Sequence, residues 1–255
     1  MRIAQHDEHS NGAARYRPSR AVALYCEAVA SADTDVIALF PLGTVLVPGQ
    51  VLPLHVFEPR YRQLVRDLID APDHPERGRS FGVVSIREGH EVGANSARSL
   101  AMVGTAARVQ VVERYDDGRY DMVTVGTDRF EINDLDVSAP YLQAHVAWLT
   151  EYAGESTDPL VASVSEQFVA YRNRLSSMLD PIPFDSLPAD PIELSYLVAT
   201  AMVLDRVDRQ ALLEKPDSAT RLRAELSLLR RESALAVHLQ SIPAGDLART
   251  DASLN

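Results

Sequence analysis

The chain has 255 residues, 46% of them hydrophobic and 24% charged, with 12 glycines and 15 prolines, a profile that fits one large globular domain or two small ones and excludes disorder throughout, collagen and a disulfide scaffold. Its formal net charge is −11, which counts against a general nucleic-acid surface, because such affinity rests on Lys and Arg neutralising phosphates. The single cysteine, Cys26, excludes an internal disulfide and a cysteine zinc cluster, and it fits a reducing cytoplasm.

Residues 1–34 read as an N-terminal arm, polar at first and then mildly amphipathic, with Val22, Tyr25, Cys26 and Val29 at helical spacing. The stretch 20–32 imitates a signal peptide, but Glu27 interrupts its apolar run and Asp7 and Glu8 spoil the leading region, so a secretory reading is rejected. No apolar run approaches the roughly 18 residues needed to cross a bilayer.

From Val36 the texture is of strands and turns. Short apolar runs at 36–40 and 45–47 are stopped by Pro41 and by the turn dipeptide Pro48-Gly49. Residues 51–57 resume an extended pattern in which Pro53 predicts an edge or bulged strand. A helix follows over 58–69, with Pro59 in its first turn and Tyr61, Leu64, Val65, Leu68 and Ile69 on its apolar face. After a polar loop at 71–79, a strand is expected at 81–86, then a Gly-rich connection. Segments 102–114 and 120–125 flank Asp116-Asp-Gly-Arg119, a hairpin turn, and strands at 130–137 and 141–148 close the β-rich part. Trp148 and His55 are expected in the core.

Beyond Glu155 the period becomes helical. Leu160, Val164, Phe168, Tyr171, Leu175 and Met178 share one face, Pro181 and Pro183 break it, and Leu194, Leu197, Val198, Ala201 and Leu204 mark a second helix. Leu222, Leu226 and Leu229 mark a third, capped by Asp217 or Ser218. The expected organisation is an arm (1–34), a β-rich lobe (35–153), a helical lobe (154–240) and a tail (241–255).

The basic residues narrow the chemistry. All 25 except Lys215 are arginine, and no Gly-Lys pair exists to make a phosphate-cradling loop. Lys215, next to Pro216, is poorly placed for a desolvated catalytic amine. His6 and His9 lack a third ligand nearby, His90-Glu91 has Ala94 where a zincin needs its second histidine, and no Gly-x-Ser-x-Gly elbow occurs.

Several motifs in order carry a resemblance. Leu39-Phe-Pro-Leu-Gly-Thr-Val-Leu-Val-Pro-Gly49 is followed by Leu52-Pro-Leu54, Phe57-Glu-Pro-Arg-Tyr61, Gly82-Val-Val-Ser-Ile86 with Gly93, Val103-Gly-Thr105, and a turn at Gly126-Thr-Asp-Arg-Phe130. Pro140-Tyr-Leu142 and Leu212-Leu-Glu-Lys-Pro-Asp-Ser-Ala-Thr-Arg-Leu222 complete a set that resembles the Lon protease N-terminal, or substrate-binding, domain over roughly residues 36 to 230. The resemblance implies an α+β fold, with a PUA-like β-rich pseudo-barrel N-lobe and a helical-bundle C-lobe. Full Lon proteases continue into an ATPase module and a Ser–Lys peptidase. These residues hold no counterpart of either, so the resemblance implies a stand-alone, non-catalytic module. The chain is also similar to the Lon-like part of cereblon, without that protein's zinc-bearing domain.

The implied function is recognition of unfolded or specific polypeptides, with the module as an adaptor to a protease complex in the cytoplasm. No cofactor, metal or membrane is implied. The candidate ligand-binding residues are Glu58, Arg60 and Tyr61, at the rim of a cleft between the lobes, and Arg129, which can orient an acidic ligand or pair with a nearby carboxylate. Packing and helix capping are the structural alternatives for the first three. Three other functions stand beside this one: a small-molecule sensor using the interlobe cleft, an RNA-binding PUA-like module that the acidic charge opposes, and a hydrolase whose residues converge only in three dimensions.

Overall fold

The computed structural model describes residues 35–87, 100–175 and 187–240, with side chains to residue 234. The arm with Cys26, His6 and His9, the His90-Glu91 pair, Met178, Pro181, Pro183 and the tail therefore lie outside the described residues.

Among the described residues six strands form one mixed sheet, in the order β2-β5-β4-β3-β1-β6, with β6 also pairing with β5. Strand β1 (Asp35–Leu42) pairs antiparallel with β6 (Gln143–Leu149) through its first half and parallel with β3 (Ser80–Ser85) through its second. The pairings thus run β5–β4–β3–β1–β6 and back to β5. Strand β2 (Val51–Val56) stands outside this circuit, paired with β5 alone, which is where a strand containing Pro53 is tolerated.

Strand β5 (Tyr120–Asp136) does most to define the sheet. Its first half lies between β2 and β4 (Val103–Arg114), and its second half between β4 and β6. The expected turn at Gly126-Thr-Asp-Arg-Phe130 is corrected: the segment is continuous strand. Gly126 is needed there because a Cβ would stand 2.3 Å from the Val47 carbonyl oxygen, while its own peptide group exchanges backbone hydrogen bonds with Gly49 and Gln50 at 2.8 and 2.9 Å. The hairpin turn at 116–119 forms as expected, with Gly118 at φ 79°. The expected strand at 45–47 is also corrected. Val45, Leu46 and Val47 are buried but unpaired, and the Leu46 carbonyl accepts from Thr105 Oγ1 at 2.7 Å instead of from a ladder.

Two apolar clusters form on either side of this sheet. Leu39, Val84, Phe130, Ile132 and Val146 fill one. Gly104 leaves room for it: a Cβ there would stand 2.6 Å from both the Phe130 ring and the Val83 carbonyl oxygen. Gly104→Ala is therefore expected to lower stability by roughly 1–3 kcal/mol through overpacking, read as a shifted urea midpoint at unchanged slope. An unchanged midpoint would contradict the packing described. The other cluster joins Phe40, Val56, Phe81 and Met122 to Tyr61, Leu64 and Val65 of helix α1 (Pro59–Asp70).

The described residues that follow hold the helices α2 (Thr157–Leu175), α3 (Pro191–Ala201), α4 (Arg206–Leu213) and α5 (Ser218–Gln240). Phe168, Tyr171, Leu194, Val198, Leu222 and Leu229 form the cluster among α2, α3 and α5. Asp190 caps α3 by accepting from the Ile192 and Glu193 amides at 2.9 Å, and Asp217 caps α5 by accepting from Thr220 N at 2.7 Å. Helix α4 was not expected. It spans only two turns, and Val207, its first apolar side chain, is exposed.

Candidate functional site

Glu58 is the N-cap residue of α1, with no side-chain capping bond. Its Oε2 instead accepts from Arg60 Nε at 2.9 Å. Tyr61 is buried and stacks on Phe40, the ring centroids 4.0 Å apart, with the Arg60 guanidinium over its other side. These three residues stand together. Arg129 is elsewhere.

Arg129 is 2% exposed and Arg221 fully buried, and both meet Glu151 after β6. Arg129 Nε donates to Glu151 Oε1 at 2.5 Å and its Nη1 donates to the carbonyls of Leu213 and Lys215 at 2.6 and 2.7 Å. Arg221 donates to Ser195 Oγ at 2.9 Å, reaches Glu151 Oε2 at 3.5 Å and lies over the Tyr196 ring. The Tyr196 hydroxyl donates to Glu151 Oε1 at 2.6 Å, and its burial pushes the phenol's pKa up. The network joins β5 to α3, α5 and the turn before α5. Val45, Val47, Tyr196 and Leu213 add an apolar seam at the same junction. One turn beyond Arg221, Glu225 is buried with neither carboxylate oxygen hydrogen-bonded among the described residues, and burial raises its pKa well above the ordinary value, against the pull of Arg221.

The outer part of the sheet is different. There β2, the first half of β5 and the far half of β4 make a three-stranded layer whose inner face packs on α1. Its other face is apolar and exposed. Pro53, Val123 and Val111 are directly opposite one another across the three strands. Val51 and Val111 are each 57% exposed, and Phe57, at the end of β2, is 61% exposed. The next row is polar: His55 Nδ1 lies 2.6 Å from Asp121 Oδ1, and Tyr115 donates to Asp121 Oδ2 at 2.6 Å. Those two bonds hold the Asp121 carboxyl below its usual pKa. His55 is thus corrected from core to surface, since positions 51, 53 and 55 alternate outward. Trp148 is only half-buried, its Nε1 donating to Asp35 Oδ2 at 2.7 Å. A depression of about 420 Å³ runs over this face, lined by Pro53, His55, Val111 and Val123 among others.

A larger groove, about 700 Å³, lies between α1 and the hairpin of β4 and β5. Val65, Leu68, Val112 and Met122 form its apolar floor, while Arg66, Arg79, Arg108 and Arg114 stand around it with Asp70 and Asp73. Neither this groove nor the apolar face was anticipated, because the residues come from separate segments. A signal was present for the face: Val51, Pro53, Val111 and Val123 occupy alternate positions on neighbouring strands. Among the described residues no group of His, Cys, Asp and Glu is arranged to hold a metal ion, and no helix is long and apolar enough to cross a membrane.

A family model described as the ATP-dependent protease La (LON) substrate-binding domain matches residues 36–231. Lon protease 2 of Sorangium cellulosum is 31% identical over 216 residues, covering 79% of this chain and 25% of that protein. Lon protease 2 of Syntrophobacter fumaroxidans is 27% identical over 191 residues, 73% of this chain and 23% of that protein. The chain therefore spans about a quarter of the length of these curated relatives. Among solved structures, a Lon N-terminal domain protein from Xanthomonas campestris has 24% identity and a TM-score of 0.53, covering 76% of this chain and 98% of that one. The N-terminal domain of a Mycobacterium avium complex Lon protease has 19% identity and a TM-score of 0.57, covering 78% and 98%.

Proposed function

The chain belongs to the ATP-dependent protease La (LON) substrate-binding domain family, and on that premise we propose that it is a non-catalytic module that recognises polypeptides and presents them to a proteolytic machine. The observation that carries this reading is the exposed face of Val51, Pro53, Val111 and Val123, extended by Phe57. Single exposed apolar residues are ordinary, but a contiguous cross-strand patch rimmed by polar groups marks an interaction surface. An unfolded chain differs from a folded one in exposing apolar side chains, so such a patch selects for it.

In this reading Glu58 and Arg60 border the face beside Phe57, whereas Arg129 positions the helices and touches no ligand. The closed circuit of strand pairings supports a PUA-like pseudo-barrel lobe over 35–153, with a helical lobe over 154–240.

The test is an anisotropy titration with a labelled, permanently unfolded polypeptide, using the same sequence folded as control. Saturable binding of the unfolded form alone is expected, and it should persist at high salt. The triple variant Val51→Ser, Val111→Ser, Val123→Ser should weaken it about tenfold or more, since partial loss of three valine contacts exceeds the ~1.4 kcal/mol that corresponds to a factor of ten. Equal binding of the folded control, or an unchanged affinity of the triple variant, would remove the basis of the proposal.

A further inference from the structure

The groove between α1 and β4 has two features that the apolar face lacks. The first is a free strand edge. On the side away from β5, β4 is paired with β3 only at residues 105–108, and the last backbone bond there is from Val109 N to the Arg79 carbonyl, 2.9 Å. From Gln110 to Arg114 that edge has no strand partner among the described residues. It contains no proline and offers about 17 Å of ladder at ~3.3 Å per residue. Unlike β2, it is not blunted by an imino acid.

The second feature is charge. Four arginines surround the groove against two aspartates, on a chain whose net charge is −11. Arg79 is bound to Asp73 at 2.9 Å and Arg66 to Gln63 at 2.6 Å. Arg108 and Arg114 make no ion pair or side-chain hydrogen bond among the described residues, and both are exposed. They flank the free edge, one just before it and one at its end.

We infer that this groove binds an extended polypeptide segment that adds to the free edge of β4, sets apolar side chains against the floor of Val65, Leu68, Val112 and Met122, and places an acidic residue toward Arg108 and another toward Arg114. This inference rests on the polypeptide-recognition reading and narrows it to a substrate class: apolar stretches with an acidic residue at each end, about six residues apart. Main-chain bonds to a strand edge supply affinity without regard to sequence, and the side-chain positions supply selection. Arginine suits the carboxylate because its planar donors match two oxygens.

The experiment compares two labelled short peptides on the full chain by anisotropy. One has an apolar centre with an aspartate at each end, and the other has asparagine in both places. The acidic peptide is expected to bind about tenfold more tightly at low salt, the size of two surface ion pairs, and the preference should collapse near 1 M salt. Arg108→Glu with Arg114→Glu, both at exposed positions, should reverse it. Hydrogen exchange should slow at those amides of residues 110–114 that point away from β5 when the acidic peptide is bound. Equal affinity for the two peptides, or an unaltered preference in the double variant, would overturn the inference. So would protection that falls on β2 and leaves the β4 edge unchanged. If neither peptide binds while the permanently unfolded polypeptide does, this inference fails and the recognition reading survives; if none of the three binds, both fail.

Discussion

Glu151→Ala is expected to destabilise the fold by roughly 3–5 kcal/mol, the range for removing one partner from a buried ion pair. Glu151 is the only carboxylate that Arg129 and Arg221 share among the described residues, and both guanidinium groups are out of solvent. Removing it leaves two buried cations. Arg129 retains the carbonyls of Leu213 and Lys215, and Arg221 retains Ser195 Oγ, which places the loss toward the lower end of the range. The Tyr196 hydroxyl loses its acceptor as well. Because the network joins β5 to α3 and α5, urea unfolding followed by far-UV circular dichroism should show a lower midpoint. Trp148 fluorescence should begin to depart from it as the helices and strands lose cooperativity. A midpoint shift worth less than about 1 kcal/mol would mean that the clasp contributes no more than an exposed pair.

Glu225→Leu is expected to do the opposite and raise stability, by an amount that grows with pH. The carboxyl is buried without a hydrogen bond, and its folded-state pKa lies well above the ordinary value of 4.5. Between those two values the folded state holds a proton that the unfolded state has released, so the wild-type chain loses stability as pH rises through that window. Below pH 4.5 both states are protonated and the penalty is absent. A leucine neither ionises nor requires a partner. The variant should therefore gain little near pH 4 and roughly 1–3 kcal/mol near pH 7.5. The measurement is the urea midpoint of both proteins across that range. A difference that stays constant with pH would show that the carboxyl is solvated or paired after all.

How far the sequence could be read depended on whether a residue's partner was local. Helix α1, the hairpin at 116–119 and the cap at Asp217 are written in neighbouring residues, and they form where such residues place them. Val45, Leu46 and Val47 are plainly apolar, but periodicity cannot tell a strand from a buried coil whose peptide groups are satisfied singly, by Thr105 and Gln50. Gly126 suggested a turn, although its role is to let a second backbone pass. For the site, the motif around Arg129 was visible, but its partner Glu151 carries no motif and Arg221 comes from the far end of the chain. The four arginines of the groove come from α1, the loop before β3, and β4. Each looked like ordinary surface charge until the fold gathered them.

The pairing of β1 with β6 has a consequence during synthesis. Asp35 meets Val146 across the ladder, so the first strand of the sheet leaves the ribosome roughly a hundred residues before the strand that closes over it. At about 5–20 residues per second the wait is on the order of 5–20 seconds. Throughout it, Val36, Ile37 and Ala38 lack the strand they pair with, and Leu39 and Phe40 have only β3, once β3 itself has emerged. The nascent chain thus passes through a window in which it resembles the exposed segments that this fold is proposed to recognise.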